Sequence, residues 1–166
     1  PMNTKILYGH SQSVYGAIQL RNCNILSWSA DSTLRLWSLN GDELAVLRGH
    51  KYRMFGAIQL SDGRLLSWGE DNSPRLWSQS GDLLHVMYGH TGCVDGAIEL
   101  SDGRIITWGG GIGSCYDFSI RQWSNEGQFL SIMVEQSSGI RGFLILSNGN
   151  LLSWSYRTLQ LWSNNG

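Results

Sequence analysis

Residues 9–40 read GHSQSVYGAIQLRNCNILSWSADSTLRLWSLN, and residues 49–80 read GHKYRMFGAIQLSDGRLLSWGEDNSPRLWSQS. Each position lies 40 residues from its counterpart, and the frame returns twice more. GH recurs at 89–90, while GAIQL, at 16–20 and 56–60, becomes GAIEL at 96–100 and GFLIL at 142–146. SDGR stands at 61–64 and 101–104, with SNGN at 147–150. Tryptophans fall on this frame as pairs: Trp28 with Trp37, Trp68 with Trp77, Trp108 with Trp123, and Trp154 with Trp162. A fixed period of this length marks a repeat architecture, in which one unit buries its apolar surface against the next.

Each unit reads as four short strands. SDG and SNG are turn signals between apolar runs, and further turns follow each LW and each first Trp. The runs are too short for helices and carry no helical periodicity or caps. In the first unit the strands are expected near 13–20, 24–29, 33–38 and 44–48. GAIQL and ILSW are apolar at neighbouring positions, which suits a sheet buried on both faces. The fold class is therefore all-β, and a β-propeller supplies two buried faces to each sheet. The expected blades are roughly 9–48, 49–88, 89–134 and 135–166, within one unit spanning 1–166.

These residues resemble the WD-repeat (tryptophan–aspartate repeat) β-propeller family. The resemblance implies a line of hydrogen bonds from indole through hydroxyl and imidazole to carboxylate. The matching positions are His10, Ser27, Asp31 and Trp37 in unit one, and His50, Ser67, Asp71 and Trp77 in unit two. Unit three offers His90, Thr107, Asp117 and Trp123. Such polar groups in a buried sheet must find partners, and a satisfied network stiffens the blade. Three departures stand out. Ser38, Ser78, Ser124 and Ser163 replace the Asp that usually follows the second Trp; an extra Trp occupies every second strand; and unit four has Gln136 in place of His and Arg157 or a gap in place of Asp.

Ser, His and Asp in one network also invite a hydrolase reading. The set recurs in three units at like spacing, whereas catalysis needs one asymmetric centre with an oxyanion hole. No G-x-S-x-G elbow is present. No catalytic residue is assigned, and no metal or cofactor motif appears.

The phase of the chain bears on closure. TKIL at 4–7 aligns with LAVL at 44–47, the outermost strand of a blade, whereas the last unit ends just after its third strand. Propellers have about four to eight blades. The resemblance implies rings of seven or eight, so four units make half a ring. The expected assembly is a homodimer forming one eight-bladed ring, with residues 4–8 of each chain completing blade four of the other. A closed four-bladed monomer and a piece of a longer array are the alternatives. Pro1 before Met2 reads as a cloning remnant.

A net charge of −1 and scattered basic residues give no electrostatic reason to bind nucleic acid. No apolar run is long enough to span a membrane as a helix, and no signal peptide is apparent. Cys23, Cys93 and Cys115 lie at unrelated places in their units and read as free thiols of a reducing, cytoplasmic compartment.

Function is sought where the units diverge. The GGGIGSCYD insertion, 109–117, lengthens the loop between the second and third strands of unit three. It is read as a plain insertion, as a contact loop through Gly110, Gly111, Ile112 and Tyr116, or as a backbone cradle for an anion. The segment after GH also varies, and Tyr52 and Arg53 are hot-spot residue types there. Arg35, Arg75 and Arg121 are expected to stack on aromatic rings. The resulting expectation is a non-enzymatic scaffold that binds protein on the face carrying the GH loops. A small-ligand or anion module using 109–117, and an isolated or engineered fragment with no native partner, are the alternatives.

Overall fold

The computed structural model describes residues 4–110, 116–135 and 139–163. Unit one folds as β1 (Val14–Gln19), β2 (Ile25–Ser29), β3 (Thr33–Trp37) and β4 (Glu43–Arg48). Unit two gives β5 (Met54–Gln59), β6 (Leu65–Gly69), β7 (Arg75–Trp77) and β8 (Leu83–Val86). Unit three gives β9 (Val94–Glu99), β10 (Ile105–Gly109), β11 (Ser119–Trp123) and β12 (Phe129–Glu135). Unit four gives β13 (Gly142–Ile145), β14 (Leu151–Trp154) and β15 (Leu159–Trp162). Every unit is its own antiparallel meander, with strands side by side in chain order. Sheets one to three have four strands and sheet four has three. β12 runs to Glu135, one residue past the expected end of its blade.

The turn between the first two strands of each sheet is set by one backbone position. In unit two, the N–H of Gly63 donates to Leu60 O at 3.0 Å, and Gly63 is left-handed with φ 95°. Unit one builds the same turn with Cys23 at φ 68°, where a side chain is strained. The glycine of each GA pair, and of GF in unit four, has a different reason. A Cβ on Gly16, Gly56, Gly96 or Gly142 would run into the ring of Trp28, Trp68, Trp108 or Trp154, respectively, on the neighbouring strand. The missing side chain on the first strand is thus the seat of the additional indole on the second.

The core is divided. One hydrophobic cluster lies between sheets one and two, with Leu26, Leu34 and Leu47 facing Met54, Leu65 and Trp77. A second lies between sheets two and three, where Leu66 and Leu76 meet Val94 and Ile105. The third lies between sheets three and four, where Trp108 stacks on Phe143 at 5.5 Å between ring centroids. Four sheets therefore share three joints, and each end sheet has one bare face. On sheet one, Val14 is 55% exposed, whereas its counterparts Met54 and Val94 are fully buried. On sheet four, Leu159 is 69% and Leu161 65% exposed, whereas Leu34 and Leu76 are fully buried.

Residues 4–8 form no strand. Leu7 and Lys5 lie over Gly41 of unit one. Leu47 and Ala45 of unit one lie over Gly81 of unit two in the same way, and Met87 and His85 of unit two lie over Gly127 of unit three. The N-terminal segment thus occupies the place of the outermost strand of a blade before the first.

Candidate functional site

Each of the first three sheets holds one polar line at the end where its GH loop meets its second turn. Trp37 Nε1 donates to Ser27 Oγ at 2.8 Å, Ser27 meets His10 Nε2 at 2.8 Å, and His10 Nδ1 meets Asp31 at 2.9 Å. In sheet two the steps Trp77–Ser67, Ser67–His50 and His50–Asp71 are 2.8 Å each. In sheet three Trp123–Thr107 is 2.8 Å, Thr107–His90 2.7 Å and His90–Asp117 2.8 Å. An indole only donates, so the hydroxyl accepts from it and gives its own proton to Nε2. Nδ1–H is then left to donate to the carboxylate. In sheet four Trp162 Nε1 donates to Ser153 Oγ at 2.9 Å, and Ser155 and Thr158 share a hydrogen bond at 2.7 Å. Gln136 lies outside the described residues.

The carboxylates also tie down the loops. Asp31 accepts from the N–H of Ser11 at 2.9 Å and of Thr33 at 3.0 Å, and Asp117 from those of Thr91 at 2.7 Å and Ser119 at 2.8 Å. Burial pushes both aspartates up, but the hydrogen bonds outweigh it and hold them well below the usual carboxylate range. Asp71 is lowered against its burial by His50 and Arg75. Burial also pulls His50 and His90 below the ordinary imidazole value, against the raising effect of their carboxylates. The hydroxyls of Ser67 and Thr107 are closed to solvent and occupied on both sides. No substrate could reach them.

Sheet two departs from its neighbours in a way the sequence pattern hides. Its Ser73 hydroxyl turns to Asp71 O at 3.0 Å, and Arg75 Nη1 fills the vacated position at the carboxylate, 2.6 Å from Oδ2. Pro74 precedes, and β7 begins only at Arg75. The stacking expected of the three arginines holds for one of them. Arg121 lies over Phe129 at 5.9 Å, but Arg35 pairs with Glu43, and Arg75 is part of the buried line. For Arg75, ring contact gives way because the buried Asp71 carboxylate demands its cation more strongly than an indole does.

Among residues that could meet a partner, Tyr52 and Arg53 line a cleft of about 320 Å³ between sheets one and two, together with Gln12, Tyr15, Lys51 and Glu70. Arg53 Nε donates to Glu70 at 2.8 Å. Glu70, and after it Tyr15, holds that guanidinium above its ordinary range. Tyr15 and Tyr52 are half exposed. Gly110 is buried with its backbone hard against the Asp95 carboxylate. Asp95 Oδ1 is buried without a hydrogen-bond partner among the described residues, and burial raises this acid to about 6. Tyr116 is exposed, its ring 5.9 Å from that of Phe118. Gly111 and Ile112 lie outside the described residues.

The free-thiol reading requires correction. Cys23 is free, but Cys93 is buried and disulfide-bonded. The repeat frame does not reveal a bond made in one unit alone, where the first two units have Ser13 and Arg53. Among the described residues, no helix is long and apolar enough to cross a membrane.

Neither a family model nor a curated protein matches the sequence. Solved structures do. The chain is similar to the WD40 β-propeller domain of Doa1, with 26% identity and a TM-score of 0.79 over 95% of this chain and 53% of that one. The chain carries the WD-repeat propeller fold. The propeller is also similar to the WD40 repeats of RRP9, at 21% identity and a TM-score of 0.79 over 95% of this chain and 50% of that one. It thus spans about half the length of these two WD40 chains. A third likeness, to the computationally designed Ika4 protein, has 22% identity and a TM-score of 0.79, and covers 97% of this chain and 98% of that one. WD40 propellers generally serve as scaffolds, and what this chain shares with them is the fold.

Proposed function

We propose that this propeller is a non-enzymatic interaction scaffold in which two chains close one eight-bladed ring, whose GH face binds a protein. The observation that carries the reading is the seat of Lys5 and Leu7 on Gly41, where two internal joints seat the outermost strand of the preceding blade. The bare faces supply the rest. Leu144, Trp154, Leu159 and Leu161 on sheet four are the counterparts of Ile18, Trp28, Leu34 and Leu36, which at the first joint meet Met54 and Ala57, the counterparts of Val14 and Ala17. Burying apolar surface of this extent favours association by about 25 cal/mol per Å² before the costs of binding. By the internal register, in which Leu34 faces Leu47 and Leu36 faces Ala45, Leu7 of one chain would face Leu159 of the other, and Lys5 would face Leu161. A second copy satisfies both ends at once, and a two-fold axis leaves no edge over.

Partner binding is assigned to the cleft at Tyr15, Tyr52 and Arg53, because it gathers exposed aromatic and arginine side chains at one joint. Light scattering tests the assembly. The expected mass is about 37 kDa, twice the 18.5 kDa chain, and a sharp 18.5 kDa species overturns the paired ring. In a Cys23→Ser background, Leu7→Cys with Leu159→Cys should cross-link between chains, and a bridge within one chain would favour a closed monomer. For the face, immobilised ring should retain a protein from the source extract. The Tyr52→Ala/Arg53→Glu ring should lose it at unchanged mass, and undiminished retention removes the cleft from the proposal.

A further inference from the structure

The internal joints are fastened by a clamp that recurs at the end of the first strand. Between sheets one and two, the N–H of Arg21 donates to Gln59 Oε1 at 2.9 Å. Between sheets two and three, the N–H of Ser61 donates to Glu99 Oε2 at 2.6 Å, and its hydroxyl donates to Oε1 at 2.6 Å. In each case the last residue of one first strand caps the turn that follows the first strand of the sheet before it. Between sheets three and four the corresponding residue is Ile145, whose side chain has no acceptor.

Both halves of one more clamp stand at the ends of the chain. Gln19 occupies on sheet one the position of Gln59 on sheet two. Its Nε2 donates to Cys23 O at 3.5 Å, as Gln59 Nε2 donates to Gly63 O at 3.2 Å, and this directs Oε1 the same way. Among the described residues, no sheet precedes it to supply a donor. On sheet four, Ser147 occupies the position of Arg21 and Ser61. Its turn is built alike, with Leu146 N–H to Asn150 O at 2.8 Å and Gly149 N–H to Leu146 O at 2.9 Å. Ser147 is exposed, and among the described residues no sheet follows its own.

We propose that Gln19 of one copy caps the Ser147 N–H of a second copy, so that this pair fastens each of the two inter-chain joints. The proposal rests on the paired-ring reading and names the polar contact that selects the second copy. Apolar faces alone tolerate a sliding register, whereas a side-chain acceptor aimed at one backbone N–H fixes it. Gln19 at the closing joint repeats Gln59 at the first, so this joint belongs with the clamped pair.

The test is the dimer dissociation constant, measured by sedimentation for a set of variants. Gln19→Ala should weaken pairing by about 5-fold per joint, hence about 25-fold over two joints. Gln19→Glu should restore it, since Glu99 performs this task inside the chain. Ser147→Pro removes the donor, and proline suits the second position of this turn, so it should weaken pairing by about the same 25-fold. Ser147→Ala keeps the N–H and should pair like the parent. The combination Gln19→Ala/Ser147→Pro should be no weaker than either alone. Circular dichroism of each variant guards against loss of fold. A parent that is itself monomeric defeats the paired ring and the clamp together. A dimeric parent whose constant is unmoved by Gln19→Ala, or additive effects of the two changes, defeats the clamp and leaves the ring standing.

Discussion

Arg75 Nη1 lies 2.6 Å from Asp71 Oδ2, and both side chains are nearly closed to solvent. Removing one member of a buried pair leaves the other charge unsolvated. Arg75→Ala should therefore cost about 2–3 kcal/mol in urea unfolding, because His50 and the Lys51 N–H still serve Asp71. Arg104→Ala, whose partner Asp102 is half exposed, should stay within about 1 kcal/mol.

Acid should weaken the fold in two windows. His50 and His90 are depressed, so the unfolded chain binds protons that the native chain refuses, and stability falls as pH drops below about 6.5. Asp31, Asp71 and Asp117 are depressed as well, and their contribution is lost as pH falls below about 3.8. Urea midpoints between pH 8 and pH 3 should descend in both windows, and a flat profile would refute the buried networks.

Asp95 runs the other way. Raised to about 6, it takes up a proton more readily in the native state and so destabilises the fold above that pH. Asp95→Asn should stabilise the propeller by about 1 kcal/mol at pH 7.5, after allowance for solvent screening. At pH 4, where the native acid is already neutral, the gain should shrink toward zero. An equal gain at both values would assign the effect to something other than charge.

Cys23 holds a left-handed turn position that Gly63, Gly103 and Gly149 fill in the other units. Cys23→Gly should stabilise by about 1 kcal/mol in thermal or urea unfolding, because a side chain there is strained. A loss of stability would mean that the cysteine contributes packing beyond its exposed position.

Gly56 and Trp68 form a seat and its occupant. Gly56→Ala should cost about 1–3 kcal/mol by overpacking. In a Trp68→Leu background the same change should cost at least about 0.5 kcal/mol less, since the ring that it strikes is gone. Equal costs in both backgrounds would remove the seat from the explanation.

Much of the architecture was legible because the repeat multiplies each signal. The strands of unit one lie within a residue of their expected bounds, and the Trp pairs and turn triplets carry that reading through the chain. The polar lines were legible for the same reason: His, Ser or Thr, Asp and Trp recur in phase. What escaped was whatever occurs once. Arg75 enters a buried line only in the sheet where Pro74 stands, and an alignment of arginines at one position conceals that. The bond at Cys93 is likewise a single event, since Ser13 and Arg53 stand at that position in the first two units. The clamps left a faint trace, a Gln or Glu inside the otherwise apolar GAIQL and GAIEL, but the matching donor is a backbone N–H that no residue letter reports.

The division of the core into separate joints makes the middle and the ends of this molecule unequal. Sheets two and three are sandwiched, whereas sheets one and four each lean on a single neighbour. Amide exchange should accordingly run fastest at the two termini and slowest in β6 and β10. In the paired ring proposed above, dilution would act like a mild denaturant on the outer blades alone, and the melting temperature would become a function of how many molecules share the solution.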